Sequence, residues 1–165
     1  MWAGVIAFAL ALTGCTTSPP AAGAHFAGKY ELVPLFNKGN RPVIRNGHQY
    51  LALRNPVRLT RPNGETITMP AGMQTDLASI PRILWPILPP DGPWGEAALP
   101  HDLCYRSLGA MTWHSHVGRS RAEPYSRAEC DQILLEGMTA LGVPPWKREV
   151  IYLGVRVGGG AGFGH

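Results

Sequence analysis

Twenty glycines and sixteen prolines stand among 165 residues, and their placement limits almost every regular element of this chain to a short run. Prolines at 81, 86, 89, 90 and 93 leave the stretch from Ile80 to Pro93 room only for extended chain or very short helix. Asn46-Gly47 and Asn55-Pro56 bracket a strand candidate, Gln49 to Leu53, and Pro34 stops another, Tyr30 to Val33. The clearest local signal is Pro62-Asn63-Gly64 between Val57-Arg58-Leu59-Thr60 and Thr66-Ile67-Thr68-Met69. Asn-Gly tolerates the positive φ of a tight turn, and β-branched residues flank it, so a hairpin is predicted, ended by Pro70-Ala71-Gly72.

The C-terminal half reads as helix. Ser126 and Glu129 have the spacing of a capping box, each able to satisfy the other's backbone N–H. The helix it opens runs to Leu141 and is stopped by Gly142-Val143-Pro144-Pro145. Pro145 suits the first turn of a last helix, Trp146 to about Val157, with Trp146, Val150, Leu153 and Val157 on one stripe. The glycine-rich tail after Val157 has too little side chain to fold by itself. The expected fold class is α+β: a small antiparallel sheet or hairpin followed by about three helices, two of them antiparallel and disulfide-linked.

Composition narrows the function classes. Charged residues make up 16%, below the roughly 25% usual for soluble domains, while 45% hydrophobic residues and five tryptophans argue against disorder. One core is all this length accommodates. No apolar run after residue 14 approaches the roughly 18 residues that span a bilayer. The net charge of +4 is scattered, without a basic block or interleaved aromatics, so nothing points to nucleic acid. An anionic surface such as phospholipid headgroups suits the same charge.

Val5 to Leu12 has the length of a signal-peptide apolar core, and Leu12-Thr13-Gly14-Cys15 follows at once. This resembles the lipobox of bacterial lipoproteins, although Met1-Trp2-Ala3-Gly4 lacks the usual Lys or Arg. The resemblance implies a signal peptide over 1–14, a lipidated Cys15 with a Pro/Ser/Gly tether over 15–25, a single globular domain over 26–160 and a tail over 161–165. It also implies a membrane partner through the lipid anchor. Thr16 in place of Asp beside the lipidated cysteine implies the outer membrane, facing the periplasm. Lipidation would consume Cys15 and leave Cys104 and Cys130 as an even pair in an oxidising compartment.

Two segments carry candidate chemistry, His101-Asp102-Leu103-Cys104-Tyr105 and Glu129-Cys130-Asp131. On a helix, His101, Cys104 and Tyr105 share a face, and Asp102 is turned away. Were Cys104 and Cys130 bonded across antiparallel helices, His101 and Asp131 would stand about 3 Å apart along the axis, against about 6 Å for a parallel pair. A carboxylate on the imidazole fixes its tautomer and favours its protonated form, as a general base for water requires. Asp102 is then placed to bind a hard cation.

His101-Asp102-x-Cys104-Tyr105 with Cys130-Asp131 is similar to the active-site signature of secreted phospholipase A2. The resemblance implies His101 as base, Asp102 as Ca²⁺ ligand, Cys104 and Cys130 as a disulfide, and Asp131 and Tyr105 as the pair that orients the imidazole. Phospholipid would be the substrate. The family's calcium loop is missing, with Asp91-Gly92-Pro93-Trp94-Gly95 as the nearest substitute, and Pro100 disfavours helical geometry at Leu99.

A second resemblance covers more of the chain. Pro70 to Arg82, containing Thr75-Asp76-Leu77-Ala78-Ser79-Ile80-Pro81, then His101-Asp102, Ser126-Arg127 with Asp131, Ile151-Tyr152 and Val155-Arg156 resemble a domain family of unknown function found in bacteria and tailed phages, over roughly residues 48 to 160. It adds Asp76, Ser79 and Tyr152 as supporting candidates, with Tyr152 expected near Asp131. A phage or envelope protein becomes an alternative partner, for a non-catalytic surface lipoprotein that excludes a second phage. Plainer roles stay open: Asp102 can cap its helix, and Asp76 and Ser79 can close turns. Ser79 lacks a nucleophile-elbow sequence, and His114 and His116 have no cysteine to complete a zinc site with His101.

Overall fold

A computed structural model describes residues 23–45, 48–76, 92 and 94–164. The predicted hairpin is present. Numbering strands in chain order, β1 is His25–Ala27, β2 Leu32–Pro34, β3 Ile44–Arg45, β4 His48–Gln49, β5 Leu51–Leu53, β6 Val57–Thr60, β7 Thr66–Met69 and β8 Gln74–Thr75. β6 and β7 pair antiparallel from Thr60 opposite Thr66 to Val57 opposite Met69. Gly64 takes φ +83° in the turn, a value that costs a residue without Cβ nothing. Alternation then puts Val57, Leu59, Ile67 and Met69 on the buried face. β1 adds to the free edge of β6, giving the order β1-β6-β7, and a second antiparallel sheet has the order β2-β5-β8.

Two strand expectations shift. The predicted strand at 30–33 lies at Leu32–Pro34, and Pro34 is tolerated inside it because β2 is an edge strand. The predicted strand from 49 to 53 divides at Tyr50: its first part pairs with β3 and its second lies between β2 and β8. The strands that sequence reasoning missed are two or three residues long, too short for a period of two to register.

Helix α1 spans Gly95–Arg106 and runs straight through Pro100, against the expectation that Pro100 would interrupt helical geometry at Leu99. Pro100 cannot donate to the Glu96 carbonyl, a cost that burial offsets. All of α1 from Ala97 to Tyr105 is buried, with Leu99 and Leu103 in the main core beside the hairpin residues. After α1, β9 (Thr112–Trp113) and β10 (His116–Val117) form a minimal ribbon. Helix α2, Arg127–Ala140, opens on the complete capping box, Ser126 accepting from the Glu129 N–H and Glu129 accepting from Ser126. The Cys104–Cys130 disulfide joins α1 to α2 with a Cα–Cα distance of 5.7 Å.

Helix α3, Pro145–Gly158, starts on its proline as expected, but the opposite face docks. Ile151 and Val155 are buried against Trp94, Leu134 and Met138, whereas Trp146, Val150, Leu153 and Val157 are exposed. The helix carries two apolar faces. A polar contact breaks the tie, because Arg156 must lie beside a buried acid on α2.

Candidate functional site

The site is built where the three helices meet. α1 carries His101 and Tyr105 one turn apart, α2 supplies Asp131 immediately after the disulfide, and α3 brings Arg156. His101 Nε2 lies 3.3 Å from Asp131 Oδ1, and the Tyr105 hydroxyl donates to the same oxygen at 2.5 Å. The imidazole and phenol rings lean together with centroids 4.1 Å apart. Arg156 Nη1 donates to the other oxygen, Oδ2, at 2.7 Å, and Arg127 Nη1 stands 3.8 Å from it. The Asp131 side chain is wholly buried, so this set of donors replaces its water.

Electrostatics follow from that enclosure. Burial pushes the Asp131 carboxyl up, but hydrogen bonds from His101, Tyr105 and Arg156 outweigh it and hold the group below its ordinary range. Burial, reinforced by the neighbouring Asp131 carboxylate, pushes the Tyr105 phenol up to about 12. An ionised carboxylate only accepts, so the proton of neutral His101 sits on Nε2 and its lone pair on Nδ1. That Nδ1 is buried and finds no hydrogen-bond partner among the described residues. An orphan of this kind costs about 1 to 3 kcal/mol, which marks it as a point of unused polar capacity.

The tail, expected to lack structure of its own, folds against this site. Gly159–Gly162 forms a 3-10 turn that continues α3. The Gly164 N–H then donates to the Tyr105 carbonyl at 2.9 Å, and Phe163 meets the Tyr105 ring edge-on at 5.3 Å. One backbone hydrogen bond and one aromatic contact hold it to α1.

The remaining candidates separate from this cluster. Asp102 points away from His101 as the spacing predicts, and its Oδ2 accepts from the Thr75 hydroxyl at 2.5 Å. Asp76 pairs with Arg106 at 3.4 Å, while Arg106 also donates to the Gln74 carbonyl. Tyr152 does not hydrogen-bond Asp131. Arg156, one turn further along the same face of α3, makes that contact instead. Ser79 and Cys15 lie outside the described residues, as does Asp91. His116 Nε2 contacts the Thr68 carbonyl and His114 packs on Trp113, so neither approaches a metal site with His101.

Calcium asks for six to eight oxygen ligands. Among the described residues no group of three or more acidic, His or Cys side chains converges, and one Asp102 oxygen is already engaged by Thr75. The loop expected to supply carbonyl ligands, Asp91 to Gly95, lies partly outside the described residues. Arg127 and Arg156 stand among the residues that carry the family resemblance, but the sequence assigned them no role at the site. Arg127 was legible as the residue four before Asp131, whereas Arg156 becomes visible only once α3 is docked.

No curated protein and no solved structure matches the chain. A family model does, over residues 51–155, from β5 to the buried Val155 of α3, and so includes His101, Tyr105 and Asp131. The chain belongs to the family described as "Protein of unknown function (DUF1353)".

Proposed function

We propose that this protein is a carboxylic ester hydrolase of phospholipase A2-like mechanism, held by a lipidated Cys15 at a bacterial envelope membrane and acting on lipid there. The observation that carries this reading is the His101 imidazole, fixed on one nitrogen by Asp131 and left on the other without a partner among the described residues. Nδ1 takes a proton from water as the oxygen adds to the ester carbonyl carbon. The tetrahedral intermediate then expels the alkoxide, the C–O bond breaks, and the imidazolium returns its proton to the leaving oxygen. Acid and alcohol are the products. Asp131 stabilises the transient imidazolium, and Tyr105 and Arg156 fix the carboxylate. The disulfide agrees with an oxidising compartment.

The test is fatty-acid release from phosphatidylglycerol/phosphatidylcholine vesicles by the full-length protein, with Ca²⁺ and with chelator. Release that disappears in His101→Gln supports the reading. Equal release by the variant, or none from the parent under either condition, overturns it.

A second reading has one observation in its favour: His101 is only 3% exposed, as befits a structural network. On that reading the protein is a non-catalytic, phage-related surface lipoprotein. Plaque assays on cells expressing His101→Gln/Asp131→Asn decide between them, since protection that survives the double substitution excludes chemistry as its basis.

A further inference from the structure

Among the described residues, the exposed face of α3 is an apolar surface that the His101 site does not use. Trp146, Leu153 and Val157 are 55%, 60% and 88% exposed, and Val150 lies between them. At 3.6 residues per turn the four fall within about 60° of one another, on a ridge about 16 Å long. The ridge is opposite the docked Ile151 and Val155.

Lys147 flanks the ridge on one side and Glu149 on the other, while Arg156 is committed to Asp131; the attraction to an anionic surface comes from Lys147 and from the chain's net charge of +4. Lys147 Nζ lies 5.4 Å from the Trp146 ring and 5.5 Å from that of Trp94, at the N-terminal end of the ridge. An indole beside an ammonium at the end of an apolar stripe is the combination that settles at the boundary between headgroups and acyl chains. A second copy of the chain is a poorer occupant. Four partly covered side chains in single file fall well short of the roughly 800 Å² per partner that a stable protein interface needs. A lipid surface has no such minimum, because it accommodates a single apolar stripe along its whole length.

We infer that α3 is a membrane-docking helix, which lays Trp146, Val150, Leu153 and Val157 into the interfacial layer of an anionic phospholipid bilayer. The inference rests on α3 alone and holds whether or not His101 performs chemistry. Arg156 leaves the same helix toward Asp131, so a docked α3 also brings the His101 site close to the lipid.

The experiment uses the full-length chain with Cys15→Ser, which cannot be acylated, and sucrose-loaded vesicles of equal phosphatidylglycerol and phosphatidylcholine. Val150→Asp/Leu153→Asp/Val157→Asp is compared with its Cys15→Ser parent by co-sedimentation. The expected result is a fall of at least tenfold in the partition coefficient, with an unchanged thermal melt because none of the three side chains is in the core. Trp146 emission, isolated as the difference from a Trp146→Phe variant, shifts to the blue on vesicles in the parent and not in the triple variant. Equal partition of parent and triple variant overturns the docking. So does a parent dimer in sedimentation velocity that the triple variant dissolves, which would make the ridge a self-interface. Partition onto pure phosphatidylcholine as strong as onto the mixture overturns the preference for anionic lipid.

Discussion

The Tyr105 hydroxyl lies so close to Gly159 that a Cβ at position 159 would stand 2.7 Å from it, nearer than real contacts of this kind come. The ring cannot retreat freely, because Phe163 closes its edge and Asp131 holds its oxygen. Gly159→Ala therefore pushes the phenol off the carboxylate. The expected cost is about 1 to 3 kcal/mol in urea unfolding, as for other overpacked sites. Tyr105 ionisation, at about 12 in the parent, should move toward its ordinary 10. Ultraviolet titration against a Tyr105→Phe reference reads this directly, and an unaltered titration would show that the tail yields instead of the ring.

Asp131 makes stability depend on acid. Its folded carboxyl is held below the ordinary value of 3.8, so the unfolded chain binds the proton more readily. The stabilisation it provides is complete above that value and is lost as pH falls through the folded one. Asp131→Asn should lower stability at pH 7 by about 2 to 3 kcal/mol, the worth of hydrogen bonds to a charged acceptor. The gap between parent and variant should narrow below pH 4. Chemical denaturation at a series of pH values gives both numbers, and a gap that stays constant down to the acid limit would refute the assignment.

Reduction of the Cys104–Cys130 bridge should loosen the same contact from the other side. The bridged residues are 26 apart in sequence, a loop for which chain entropy gives about 3 to 4 kcal/mol. Cys104→Ser/Cys130→Ser, or the parent in dithiothreitol, should unfold at correspondingly lower denaturant. In the NMR spectrum, the His101 ring protons should broaden or shift before global unfolding. A loss much below 1 kcal/mol would mean that α1 and α2 are held by packing alone.

Arg61 is a separate anchor. It is buried at the end of β6, donating in a fork to both oxygens of Glu136 on α2 at 2.8 and 3.0 Å and to Glu65 at 2.6 Å. Removing it leaves Glu136 enclosed without a counter-charge, so Arg61→Ala should cost about 3 to 5 kcal/mol. Arg61→Lys should recover only part of this, since an ammonium cannot make the fork. Thermal melts of the two variants check the order.

What could be read in advance depended on the range of the forces involved. The hairpin at 57–69 and the capping box at Ser126 are settled by residues within a few positions of each other, and both lie where the sequence puts them. Pro100 shows the opposite case: a local penalty is outweighed by burial of nearly all of α1, which no window around residue 100 contains. On α3 the sequence offers two apolar faces, and the one with more residues is the one left outside, because Arg156 reaching Asp131 selects the other. His101 and Asp131 could be associated from spacing alone since cysteines stand beside them, whereas Tyr105 joined them through the phospholipase A2 resemblance. Arg156 and the Gly159 contact required the packing of a third helix.

One carboxylate is shared among three helices, and this has a consequence for how such a sequence can change over time. Positions 101, 105 and 156 all converge on the two oxygens of Asp131, so a change at any of the four bears on the other three. A lineage that lost the acid would keep an arginine and a phenol aimed at a vacancy, and one that lost the arginine would keep a buried anion with fewer donors. The four should persist together or disappear together, as a single inherited character.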